Sequence, residues 1–131
     1  MTSLFVVEDH RLLSTALLRI LRERGGFEVV GLATTAEQAL EELPALNVDL
    51  VLVDVSLPGM SGIDLVAALQ HGDHNVPCLM LSGHASRQYV ERSMAAGARG
   101  YVLKDDIGGI LEGIRRVLKG DTYISDQLKH Y

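Results

Sequence analysis

The chain is poor in the features that mark several protein classes. It has one cysteine, Cys78, so no disulfide framework exists, and its place in the apolar run Cys78-Leu79-Met80-Leu81 marks a buried, reduced thiol. No apolar stretch approaches the ~18 residues needed to cross a bilayer. No basic region precedes the first apolar run either, so the expectation is a soluble, unexported, cytoplasmic protein without a membrane partner. Basic side chains are outnumbered, 12 against 17 acidic, for a net charge of −5. That is the wrong sign for tracking a polyanionic backbone, so direct nucleic-acid binding is not expected. Neither a GxGxxG nor a P-loop motif follows the first apolar run, which leaves nucleotide binding of the usual doubly wound type without support. Flavin binding stays open, because fold alone does not exclude it.

What is there is the composition of a packed protein: 47% hydrophobic and 22% charged residues. At 131 residues the chain accommodates one domain and one core, with no room for a second.

Short apolar runs alternate with segments of helical period, which predicts an α/β, doubly wound parallel sheet with helices on both faces. Leu4-Phe5-Val6-Val7, Leu50-Val51-Leu52-Val53 and Cys78-Leu79-Met80-Leu81 are uninterrupted, as buried central strands require. The run 27–32 carries a charge and a glycine, and 99–103 is short and broken by Gly100, so both suit sheet edges. Five strands in spatial order 2-1-3-4-5 follow.

Leu13, Leu17, Ile20 and Leu21 form an apolar stripe for a first helix, and Ile107, Ile110, Leu111, Ile114, Val117 and Leu118 form one for a last. Thr34 with Glu37 and Ser61 with Asp64 have capping-box spacing, while Ser86 and Asp106 suit N-caps of the fourth and fifth helices. Gly120-Asp121 ends the last helix, giving a domain over 1–120 and a tail over 121–131 with no partner in the pattern.

In an open parallel sheet, ligands bind beyond the carboxyl ends of the strands, near the point where strand order reverses. There the first strand ends in Glu8-Asp9, the third in Asp54, the fourth in Ser82 and the fifth in Lys104. Taken singly each has an ordinary reading: Asp9 as a helix cap, Asp54 as a strand end, Ser82 as a turn residue, Lys104 as a solvated cation. Together they place three carboxylates, a hydroxyl and an amine on one edge. Crowded carboxylates raise one another's pKa values unless a cation compensates them, and a hard divalent ion such as Mg²⁺ prefers oxygen ligands. A carboxylate neutralised in this way is a nucleophile for phosphorus.

Four segments carry a family resemblance: Val7-Glu8-Asp9-His10, the run 53–62 from Val53-Asp54 through Pro58-Gly59 to Ser61-Gly62, Leu81-Ser82-Gly83, and Gly100-Tyr101-Val102-Leu103-Lys104-Asp105. Over residues 3–119 the sequence resembles the receiver domains of bacterial two-component response regulators. The resemblance implies the flavodoxin-like (CheY-like) fold and a signalling phosphoacceptor rather than an enzyme acting on outside substrates. It implies that Glu8, Asp9 and Asp54 hold Mg²⁺, or Mn²⁺ in its place, with the Ser56 backbone carbonyl, and that Asp54 takes the phosphoryl group from a sensor histidine kinase. Ser82 and Lys104 would contact that group. Ser82 would shift toward it while Tyr101 rotates inward, remodelling the face of the fourth helix, fifth strand and fifth helix. Ser56 and His84 occupy places that tune phosphoryl lifetime in the family. Position 8 is Glu where many relatives carry Asp.

The stretches 97–105 and 117–125 resemble the LuxR/NarL/FixJ-type subfamily, in which such a tail leads into a helix-turn-helix DNA-binding domain. The expectation is therefore the N-terminal part of a transcription regulator that dimerises on phosphorylation and meets DNA only through a domain absent from these residues. Two other readings remain. A pseudo-receiver would switch without phosphate, against which the full set Asp9, Asp54, Ser82 and Lys104 argues. A haloacid-dehalogenase-like phosphatase would need a second Asp two residues after Asp54, where this chain has Ser56. His71 and His74 have a spacing that could pair them on a metal, but Gly72 and Asp73 between them and no third ligand favour a polar loop.

Overall fold

Side chains alternate between the two faces of a strand, and here both faces are covered by helices. The computed structural model describes residues 1–72 and 75–128. Its strands are β1 (Ser3–Val7), β2 (Glu28–Ala33), β3 (Leu50–Asp54), β4 (Cys78–Ser82), β5 (Gly100–Leu103) and β6 (Tyr123–Ile124), and its helices are α1 (Arg11–Glu23), α2 (Ala36–Glu42), α3 (Gly62–His71), α4 (Arg87–Ala96) and α5 (Ile107–Leu118). All neighbouring strands pair in parallel, in the order β2-β1-β3-β4-β5-β6.

The doubly wound sheet and the order 2-1-3-4-5 are as the pattern predicts. The strand count is not: six strands are present, and the sixth is formed by Tyr123 and Ile124 of the tail, registered on Gly100 and Tyr101. β5 is therefore an inner strand, and the described part of the tail has a partner. The expectation failed because a two-residue strand is too short to show a period.

Leu4, Val6, Leu50, Leu52, Leu79, Leu81 and Val102 face one side, against Leu17 and Leu21 of α1 and Ile110, Ile114 and Val117 of α5. Phe5, Val7, Val51, Val53, Met80, Tyr101 and Leu103 face the other, against Ala36 and Ala39 of α2, Leu65, Val66 and Leu69 of α3, and Val90 and Met94 of α4. Cys78 is buried, and burial pushes its thiol up to about 12, a closed, inert group as expected. His71 closes α3, whereas His74 lies outside the described residues, as do residues 129–131.

The helix caps follow the sequence with one shift. Ser61, Ser86 and Asp106 each accept the backbone N–H three residues on, from Asp64, Tyr89 and Gly109. At α2 the capping residue is Thr35, not Thr34: Thr35 Oγ1 accepts from Gln38 N–H, and Gln38 Oε1 accepts from Thr34 N–H. Glu37 instead reaches the loop after β3, where its Oε2 accepts from Met60 N–H at 3.4 Å. Either Thr satisfies the spacing rule, so the pattern alone does not choose.

Candidate functional site

Parallel register brings the carboxyl ends of β1, β3, β4 and β5 to one edge. Val7 pairs with Val53, Asp54 with Leu81, and Ser82 with Leu103. Glu8-Asp9, Asp54, Ser82 and Lys104 thus emerge side by side from segments far apart in sequence.

The loop after β3 is held close beneath the site. Gly62 N–H donates to the Val55 carbonyl at 3.1 Å, and a Cβ on Gly62 would run into the Asp54 carbonyl oxygen. Only glycine permits that approach, which folds the loop from 55 to 61 back over the strand end.

Asp54 is almost wholly buried and Glu8 completely so, while Asp9 is exposed. Carboxylate oxygens of the three lie within 4.8 Å of one another. Lys104 Nζ is 3.0 Å from Asp54 Oδ2 and 3.3 Å from Glu8 Oε1. The other Asp54 oxygen, Oδ1, accepts the Ser56 N–H at 3.0 Å. Glu8 Oε1 also accepts the His10 N–H at 3.1 Å. These backbone donors left no mark in the sequence, because any non-proline residue supplies an N–H.

Burial pushes the Glu8 carboxyl up to about 7, the nearby Asp54 charge adds to the rise, and Lys104 and the His10 N–H partly offset it. Burial also works against the Lys104 ammonium, but the Asp54 and Glu8 carboxylates outweigh it and hold its pKa above the ordinary value. The lysine is therefore a fixed positive charge at neutral pH, and the site has more carboxylates than it can neutralise alone. Glu8 Oε2 is buried with no hydrogen-bond partner among the described residues. A buried carboxylate oxygen without a donor is costly, so this oxygen, with Asp9 and Asp54 beside it, fits a hard cation.

Ser82 is buried, and its Oγ accepts the His84 N–H at 2.9 Å. Tyr101 is fully buried, in the inward position, and its hydroxyl donates to the His84 carbonyl at 3.0 Å. The His84 ring leans against Tyr89 of α4, centroids 5.5 Å apart. The β4–α4 loop therefore links Ser82, Tyr101 and α4. All the residues expected at the site are brought to one end of the sheet. A further group was not foreseen: Ser125, just after β6, is buried with its Oγ on Leu103 N–H and Asp106 Oδ2, on either side of Lys104.

A six-stranded parallel sheet whose carboxyl edge gathers three carboxylates and a lysine defines a class, and comparison with known proteins supplies it. Residues 4–125 match the model of the response regulator receiver domain, and the chain belongs to that family. Members are signalling proteins, the phosphoacceptor role is general among them, and they bind Mg²⁺ at an acidic cluster. The similarity is to the LuxR type, whose members include transcriptional regulators. The response regulator GacA of Pseudomonas viridiflava is 32% identical over 98% of this chain and 60% of its own length. The transcriptional regulatory protein DegU of Brevibacillus brevis is 32% identical over 95% of this chain and 53% of its own. A LuxR-family two-component response regulator from Aurantimonas sp. SI85-9A1 superposes with a TM-score of 0.93 at 26% identity, covering 99% of this chain and 94% of that one. The chain thus spans between half and three fifths of the curated relatives' length. No described helix is long and apolar enough to cross a membrane.

Proposed function

We propose that Asp54 is the phosphoacceptor of this receiver and that its acyl phosphate switches an output. The observation that carries the reading is the near-complete burial of Asp54 with one carboxylate oxygen 3.0 Å from Lys104 Nζ. A buried carboxylate held by a lysine, in a cluster with Glu8 and Asp9, is built to gain and lose a charged group.

An Asp54 carboxylate oxygen attacks the phosphorus of a kinase phosphohistidine; the P–O bond forms as the P–N bond breaks, and the imidazole leaves with the electron pair. Lys104 offers an ammonium to the incoming oxygens and Ser82 a hydroxyl. Ser56 N–H steadies the carboxylate through Oδ1. Glu8, Asp9 and Asp54, with the Ser56 carbonyl, would hold Mg²⁺, or Mn²⁺ in its place. When bound, that ion neutralises charge on the phosphoryl oxygens. Phosphoryl uptake and loss are the domain's own chemistry, with no turnover of outside substrates.

The switch runs through Ser82 and Tyr101. Ser82 leaves His84 for the phosphoryl group, and the Tyr101 hydroxyl, already on the His84 carbonyl, fixes the loop in its new place. The face of α4, β5 and α5 changes with it. The partners are a sensor histidine kinase, a second copy of the phosphorylated chain, and DNA through a C-terminal domain of the kind the longer relatives have room for. The setting is the cytoplasm.

The test is intact mass after incubation with Mg²⁺ and acetyl phosphate. The wild type gains one phosphoryl group and Asp54→Asn gains none. A folded wild type that gains none supports a phosphate-independent module, and turnover of phosphate esters in solution supports a phosphatase.

A further inference from the structure

We propose that Ser125, at the start of the C-terminal tail, is a positioning residue for Lys104. The inference rests on the role given to Lys104 above.

Lys104 sits in a turn closed by Asp106 N–H donating to the Leu103 carbonyl at 3.0 Å, while its own N–H is held by the Ser82 carbonyl at 2.8 Å. Ser125 ties both ends of that turn. Its Oγ accepts the Leu103 N–H at 3.2 Å and donates to Asp106 Oδ2 at 3.0 Å, while Asp106 Oδ1 caps α5 through Gly109 N–H at 2.9 Å. Ser125 is fully buried, so Leu103 N–H has no water to turn to if the hydroxyl is lost.

The tail is anchored to deliver this hydroxyl. Tyr123 N–H donates to the Arg99 carbonyl and Ser125 N–H to the Tyr101 carbonyl, continuing the sheet beyond β5. Tyr123 packs with the α5 side of the core, while Ile124 and Leu128 pack with the α4 side. Gly100 and Gly113 make the space: a Cβ on Gly100 would press on the Tyr123 carbonyl, and one on Gly113 would crowd the Tyr123 ring. The segment leaving the domain is thereby hydrogen-bonded to the turn that carries the phosphoryl-binding lysine. The Ser125 hydroxyl thereby couples the tail to the turn that carries Lys104.

The experiment is a double-mutant cycle on the rate of phosphoryl uptake from acetyl phosphate with saturating Mg²⁺. It uses the full chain as wild type, Ser125→Ala, Lys104→Ala and the double variant, at a temperature where circular dichroism shows all four folded. Ser125→Cys, which keeps the volume and replaces the hydroxyl by a weak donor, takes the place of the alanine variant if that variant is unfolded. A misplaced Lys104 slows uptake in the Ser125 variant roughly 3- to 10-fold, and the same change in the Lys104→Ala background does less than about twofold, since coupled residues are not additive. Equal slowing in both backgrounds, or none in either while Lys104→Ala alone is slow, overturns the proposal and leaves Ser125 a structural residue. If Lys104→Ala alone takes up phosphoryl at the wild-type rate, the role assigned to Lys104 fails, and the proposal with it.

Discussion

Lys104 and Asp54 are 50 residues apart in sequence and 3.0 Å apart in space, the Nζ of one on the Oδ2 of the other. The same ammonium reaches Glu8 at 3.3 Å, across 96 residues. One cation thus bridges the ends of β1, β3 and β5, and it is the only Lys or Arg that forms an ion pair with the acidic cluster among the described residues.

Removing that cation leaves two buried carboxylates facing one another. Lys104→Ala is expected to keep the fold when Mg²⁺ is present and to slow phosphoryl uptake from acetyl phosphate at least about tenfold, the scale of one lost charge-assisted contact to the reacting group. Stopped-flow or timed intact-mass measurements read the rate. Wild-type uptake in the variant would remove Lys104 from the chemistry.

Glu8 makes the metal-free domain sensitive to pH. Its carboxyl has an ordinary value of 4.5 and is pushed up to about 7 in the folded protein, mainly by burial. Between these values the folded state binds more protons than the unfolded one, so stability falls as pH rises through the window. In EDTA, the melting temperature of the wild type is expected to fall further from pH 5 to pH 7.5 than that of Glu8→Gln. Parallel curves for the two proteins would show that Glu8 is not the titrating group.

Gly62 is where the loop after β3 meets the backbone of Asp54 itself. A Cβ there meets the Asp54 carbonyl oxygen, which belongs to a strand and cannot move aside. Gly62→Ala is expected to cost about 1–3 kcal/mol of stability, as overpacking of a filled site does, and to slow phosphoryl uptake as the strand end shifts. Chemical denaturation and the same mass assay check both. An unchanged protein would show that the loop is not packed on Asp54 in solution.

The five principal strands were legible as short apolar runs, three of them unbroken and those at 27–32 and 99–103 interrupted. The uninterrupted runs at 4–7, 50–53 and 78–81 had to be covered on both faces, and they are. The site was legible because its chemistry sits at strand ends, where parallel register alone makes neighbours of the distant residues Glu8, Asp54 and Lys104. β6 was not legible. Tyr123 and Ile124 are too few to show alternation, and the trace they leave lies elsewhere, in Gly100 and Gly113, whose missing side chains make room for Tyr123. Gly100 had instead suggested an edge strand. The sequence placed Tyr101 inward only on switching, whereas it is already buried here with its hydroxyl on the His84 carbonyl. Nor did spacing distinguish Thr34 from Thr35 as the cap of α2, because Glu37 and Gln38 offer the same reach and only the backbone decides which one turns back.

The claim on which the rest depends is that Asp54 itself carries the phosphoryl group. Reduction with borohydride after incubation with Mg²⁺ and acetyl phosphate converts an aspartyl phosphate into homoserine, and peptide mass spectrometry locates the change. Homoserine is expected at position 54, absent when acetyl phosphate or Mg²⁺ is withheld. Homoserine at another aspartate, with position 54 unmodified, would contradict it.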